Sequence, residues 1–254
     1  MSTHFPEFLS RKIVKGILTG YKSYLDERRE KRRTMKISSA YAWVRGNHID
    51  HAVAEICQTQ GIEYKSSKAG YTWGYLQFEN KANDEKTLFI LKIGSIINNT
   101  TNGILQKKKE DQEKNYLVQL SNINKPHFNE AVDFVNGNQQ LRLDFSSHER
   151  NISSSHESLE EIEDIKKDYT HFYIVTYDFD LQSKMLSSVN LFLPSPGLSQ
   201  YKLVDNWDRY IEMADVQIST DDLQPLYDDK FAPEEVASSD YIVGKVPMQE
   251  KQSN

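Results

Sequence analysis

The sequence predicts an α+β fold, with a mainly antiparallel sheet built from two hairpins and a long N-terminal helix and a second helix packed on one face. Three observations carry this expectation. Apolar residues recur at helical spacing over residues 8–25, and residues 71–93 and 171–193 each hold two strand-like runs around a polar turn. No repeat of about 20 to 50 residues runs through the chain, which argues against a solenoid or propeller.

The first helix rests on Phe8, Leu9, Ile13, Val14, Ile17, Leu18, Tyr21, Tyr24 and Leu25, which form one stripe. Gly16 and Gly20, four apart, permit a close helix approach, and Lys12, Lys15 and Lys22 on the other side exclude a membrane span. Arg28 to Arg33 (RREKRR) are expected at or beyond the C-terminus of this helix, where cations meet the negative end of the dipole. A short strand-like AYAWV follows. Asn47 then reads as the cap of a second helix from His48 to Gln60, with Asp50 three residues on and Gly61 as its stop. Ile49, Ala52, Val53, Ile56 and Cys57 form its apolar face.

Tyr71 to Glu79 alternates as a strand, with Tyr71, Trp73 and Tyr75 on one face and Leu76 and Phe78 on the other. Lys86 to Ile93 is apolar on both faces and reads as a central strand paired with it. Ser95 to Asn115 reads as a surface loop or weak helix. Tyr116 to Leu120 and Gln139 to Phe145 are shorter strand candidates, with a helical turn in FNEAVDFV between them. After an irregular stretch, SLEEIEDIKKD offers acidic helical turns. His171 to Phe179 and Ser187 to Leu193 form the second hairpin, ended by Pro194 and Pro196, and Trp207, Tyr210 and Ile211 anchor a short helix.

A chain of 254 residues with 11% aromatic content is long enough to bury a real core. Residues 1–218 read as a single α+β domain and 219–254 as an acidic, partly mobile C-terminal tail. The net charge of -6 hides an asymmetry, because Met1 to Lys36 is rich in Lys and Arg while Asp205 to Asn254 is rich in Asp and Glu. Cys57 stands alone, which excludes an internal disulfide, and neither a signal-peptide hydrophobic region nor a bilayer-spanning run is present. The expected location is the cytoplasm.

Candidate chemistry is sparse. His48, His51 and Glu55 lie at i, i+3 and i+7 on one helix face and form a candidate set for a divalent ion, with an exposed polar face as the plainer reading. Gly46-Asn47-His48 resembles the GNH element of metallophosphoesterases, but that family's D-x-H, GDxxD and G-H-x-H motifs are absent. A restriction-type nuclease places a glutamate on a helix and an acid-x-Lys on a strand. Glu55 and Lys92 match that layout, while Ile90 occupies the acid's position. Tyr71, Trp73 and Tyr75 form a candidate stacking platform, and Arg28, Arg29, Arg32 and Arg33 a candidate phosphate-contacting patch. No Walker A loop, G-x-G-x-x-G, H-E-x-x-H, G-x-S-x-G or paired C-x-x-C occurs.

The stretch FYIVTYDFDLQSKMLSSVNLFLPSP, with the GYTWGYLQF and LFILK strands, resembles uncharacterised bacterial and phage-associated proteins, some encoded beside toxin–antitoxin genes. That resemblance carries no functional residue. The expectation is therefore a cytoplasmic interaction protein of bacterial or phage origin, a toxin-like effector among its forms, binding a protein partner without turnover and without a cofactor. The alternatives are a metal-dependent nuclease or phosphoesterase using His48, His51, Glu55 and Lys92, and a nonspecific nucleic-acid binder using the arginine segment.

Overall fold

The computed structural model describes residues 5–69, 73–82, 85–94, 109–113, 115–126, 128 and 168–227. Six strands form one sheet whose spatial order is their order in the chain: β1 (Glu63–Ala69), β2 (Trp73–Ala82), β3 (Glu85–Ile93), β4 (His171–Phe179), β5 (Leu186–Pro194) and β6 (Tyr201–Asn206). All neighbours pair antiparallel except β3 and β4, which run parallel from Thr87 opposite His171 to Ile93 opposite Tyr177. The two expected hairpins, β2–β3 and β4–β5, are thus joined side by side, and each carries an added edge strand that the sequence pattern did not announce.

Helix α1 (Glu7–Thr34) and helix α2 (Arg45–Gln58) cover one face of the sheet. Leu9, Ile13 and Ile17 of α1 and Ile49 and Val53 of α2 are buried against Phe78, Phe89, Val175 and Val189 of the strands. Each such side chain contributes about 1.5–3 kcal/mol on full burial, so this layer dominates the core. The helices meet at the two glycines of α1: a Cβ on Gly20 would lie 2.5 Å from the His48 carbonyl oxygen, and one on Gly16 would lie 2.7 Å from the Val53 side chain. The other face is covered by α4 (Tyr116–Ser121), which follows the short α3 (Lys109–Glu113) and leads into a turn at Asn122–Asn124. There Leu117, Leu120 and Ile123 pack with Leu88, Ile90, Phe172 and Ile174. Helix α5 (Thr220–Tyr227) lies against α1, with Leu223 on Tyr21, Tyr24 and Leu25.

Several expectations are corrected. Residues 40–44 form a 3-10 turn (Ser39–Val44) instead of a strand, and α2 starts at Arg45, so Asn47 lies within the helix and neither it nor Asp50 is the N-cap. Tyr116 to Leu120 is helical; the Asn115 side chain accepts a hydrogen bond from the Leu117 N–H at 2.9 Å and starts the turn. The arginine segment is at the C-terminal end of α1, as expected, with Lys31, Arg32 and Arg33 in the last turn before Thr34. Of the segment expected as a tail from residue 219, Thr220–Tyr227 form helix α5 on α1, and residues 228–254 lie outside the described residues. Residues 139–145 and 129–135, and nearly all of the acidic stretch 158–168, lie outside the described residues. No described helix is long and apolar enough to cross a membrane.

Candidate functional site

The residues of the catalytic alternative are not brought together. His48 serves the α1–α2 contact, its Nδ1 3.0 Å from the Ser23 hydroxyl and its ring edge-on to Tyr24, and burial lowers its pKa. His51 and Glu55 stay exposed on the outside of α2. Lys92 projects from the opposite face of the sheet, its ammonium 5.4 Å from the Tyr75 ring centre and 5.5 Å from that of Tyr116. Beside it, the position that a nuclease would give to an acid is filled by the fully buried Ile90. Among the described residues no group of three or more His, Cys, Asp or Glu is placed to hold a metal ion.

The aromatic platform is likewise closed where it is seen. Tyr75 is only 5% exposed, with Tyr116 of α4 packed at 4.8 Å between ring centres, so no base can stack on that side of it. Trp73 opens β2 opposite Ala69, and Tyr71 lies outside the described residues. The basic segment is partly spent inside the molecule. Arg28 is buried, and Arg29 donates to the Asp222 carboxylate of α5, which also accepts from Lys22 at 3.1 Å. The Arg29 guanidinium, with the Ser219 and Lys22 donors, holds the Asp222 carboxyl far below the usual carboxylate range. Lys31 pairs with Glu27 at 3.3 Å, while Arg32 and Arg33 remain exposed.

The residue that the sequence reading misassigned is Asp50. Its carboxylate reaches from α2 to the sheet and accepts the Leu76 N–H at 3.3 Å. Burial pushes this carboxyl up to about 7, against the opposing pull of the Lys92 ammonium and the Leu76 N–H. Burial and the Asp50 charge together raise the phenol of Tyr177. A sequence signal for this placement exists: Asp50, Ala54 and Cys57 stand at i, i+4 and i+7, so Asp50 shares a stripe with two buried residues.

This hydrogen bond also fixes the parity of the sheet edge. The paired register of β2 with β3 runs from Ala82 opposite Glu85 to Phe78 opposite Phe89. In a hairpin closed this tightly the closing pair exchanges both of its hydrogen bonds, so even-numbered residues of β2 point their backbone groups toward β3. Leu76 obeys the same parity but finds Asp50 in place of a ladder partner. Odd-numbered β2 residues therefore serve β1, where Lys65 stands opposite Gln77 and Ser67 opposite Tyr75. The backbone N–H and C=O groups of Tyr64, Ser66 and Lys68 consequently point outward, away from the sheet.

Among the described residues no further strand lies beyond β1. Glu63, Tyr64, Lys65, Ser66 and Lys68 are all exposed, so neither face of β1 is covered along most of its length. Glu63 pairs with Lys81 at 3.3 Å. Seven residues of β1 keep an uninterrupted register with β2. The other edge differs, because β6 has a register shift where its partner passes from Leu191 to Phe192.

Fold and site together define an α+β protein with a mixed six-stranded sheet, two helices on one face and a regular edge strand, β1, beyond which no further described strand lies. The chain belongs to a family described as a family of unknown function (DUF5986), whose model matches residues 2–240. That match runs through α5 and past residue 218. No curated protein and no solved structure matches the chain.

Proposed function

We propose that the chain is a cytoplasmic binding protein that takes an extended segment of a macromolecular partner onto β1 as an added strand and holds it without turnover. The observation that supports this reading is the outward direction of the backbone groups at Tyr64 and Ser66 on a regular edge strand whose residues from Glu63 to Ser66 are exposed. Main-chain hydrogen bonds supply affinity in this mode, and the side chains alternating along the strand supply selectivity. Tyr64 is 42% exposed and offers an amphipathic ring at one end of the edge.

The test uses the parity of the strand. Ser66→Pro removes an outward N–H and leaves the β1–β2 ladder whole, a position at which proline is tolerated. The immobilised wild-type chain is expected to capture partners from bacterial lysate that Ser66→Pro loses at unchanged melting temperature. On capture the Tyr64 and Ser66 amides gain protection from exchange, while those of Lys65 and Ser67 are protected already. An identical captured set for both proteins would overturn the reading. Where the chain acts as a toxin-like effector, its expression slows bacterial growth and Ser66→Pro relieves the effect.

A further inference from the structure

We propose that α5 is a strap that leaves α1 as one unit while the rest of the domain stays folded, and that the Arg29 side chain holds it closed. The proposal is independent of strand addition at β1, since it concerns only α5, α1 and the turn between β4 and β5. Three observations carry it.

The first is that α5 is not self-sufficient. It has eight residues, fewer than the roughly 12–15 at which an isolated helix becomes even marginal. Pro225 stands in its interior and has no N–H to give to the Asp221 carbonyl four residues earlier. Arg29 of α1 supplies the missing donor: its guanidinium donates to the Asp221 carbonyl at 3.1 Å and to the Asp222 carboxylate beside it. A gap in the hydrogen bonding of one helix is thus filled from another, so the helical form of α5 and its docking are one event. The second is where α5 is fastened. At its start, one oxygen of Asp222 accepts from Arg29 and from Lys22, and the other accepts from the Ser219 N–H at 2.8 Å and the Ser219 hydroxyl at 2.9 Å. At its end, the Tyr227 hydroxyl lies 3.0 Å from the Gln182 carbonyl and 3.2 Å from the Ser183 carbonyl, both in the β4–β5 turn. Between these points Leu223 and Pro225 are its buried apolar side chains, whereas α1 buries a stripe from Leu9 to Leu25. Segments held by few buried apolar contacts open locally, below the free energy of global unfolding.

The third is that α1 carries a substitute for the charge of α5. Asp26 lies 2.8 Å from the Lys22 ammonium and 3.6 Å from the Arg29 guanidinium. When Asp222 departs, both cations keep a carboxylate at hand, which lowers the cost of opening. The ionic part of the hold is screened by salt. Opening withdraws Leu223 from Tyr21, Tyr24 and Leu25, and Tyr227 from the β4–β5 turn.

The test is amide hydrogen exchange of the full chain at residue resolution. The Gln224, Leu226 and Tyr227 amides are expected to be less protected than those of Ile174 and Val175 in the central sheet. Raising NaCl from about 0.05 to about 0.5 M should lower their protection about fivefold. Arg29→Gln should lower it about tenfold or more and leave Ile174 and Val175 unchanged. Pro225→Ala restores an N–H for the Asp221 carbonyl and should shrink the effect of Arg29→Gln. Protection in α5 that equals that of Ile174 and Val175 in every condition overturns the strap, because α5 would then open only with the whole domain. Protection that ignores both salt and Arg29→Gln overturns Arg29 as the group that holds it. An Arg29→Gln effect of equal size with and without Pro225→Ala overturns its role as the substitute donor.

Discussion

Strand β6 ends one side of the sheet in packed side chains, whereas β1, at the other side, is exposed from Glu63 to Ser66. Five of the six residues of β6 are partly buried, and the strand runs directly into Trp207, which is fully buried. Its indole N–H donates to Asp205 at 2.9 Å and its backbone N–H to the Val189 carbonyl at 2.8 Å. Asn206 and Asp208 tie the same corner to Asn190 and to the Val189 N–H. At β1 nothing comparable exists among the described residues; the strand is held by its ladder to β2 and by its connection to α2. The two edges therefore separate two tasks. One closes the core, and the other carries the strand proposed to receive a partner.

Substitutions at the two edges should diverge accordingly. The largest loss is expected for Trp207→Ala, which removes the side chain that plugs the β6 corner and costs about 3–5 kcal/mol in denaturant unfolding. A loss below about 1 kcal/mol there would show that β6 is no better anchored than β1. Ser67→Pro comes next, because it deletes a bond of the β1–β2 ladder and strands a carbonyl on β2, at about 1–3 kcal/mol. Its neighbour Ser66→Pro should lie within about 0.5 kcal/mol of the unmodified chain. Equal effects at Ser66 and Ser67 would contradict the assigned parity.

Asp50 gives a finer, pH-dependent probe of the same parity, since its carboxylate holds the β2 N–H that β3 leaves unpaired. Its carboxyl is raised from the ordinary 3.8 to about 7 in the fold, so the folded chain keeps a proton that the unfolded chain releases. Stability associated with this group is present at low pH and is lost as pH rises through about 7. Asp50→Asn retains an acceptor for Leu76 without the charge. It should be increasingly more stable than the unmodified chain as pH rises from about 4 to about 7, and by a constant margin above that, as read by melting temperature. A pH-independent difference between the two would mean that the carboxyl is not held near the sheet as the geometry requires.

The same contrast explains what the sequence made legible. The four inner strands carry the apolar runs LFILKI, FYIVTY and LFL or the alternation of WGYLQF, and all four were foreseen, as was α1 from its stripe. Both edge strands went unread, because EYKSSKA and YKLVDN hold few apolar residues and owe their extended form to the neighbour they pair with. The proposed site therefore lies where hydrophobic patterning has least to say. YLVQL was misread as a strand since a short apolar run does not distinguish the two states, and the cap at Asn115 was the available signal. The candidate residues fared similarly. His48, Tyr75 and Arg28 are polar or amphipathic types that look functional in one dimension, and each is spent on packing. Asp50 was taken for a cap because the helix was started three residues late.

The parallel seam between β3 and β4 bears on how the chain reaches this structure. Helices α1 and α2 and strands β1 to β3 are consecutive and assemble from contacts between near neighbours in the chain. The seam does not: Thr170, at the start of β4, hydrogen-bonds the Lys86 carbonyl 84 positions away. Closing so long a loop costs entropy before any contact rewards it, which slows folding in proportion to contact order. Refolding is expected to be limited by the docking of the β4–β5 hairpin onto β3. Accordingly, Val175→Ala should slow refolding in stopped-flow fluorescence, while Leu9→Ala in α1 should mainly hasten unfolding.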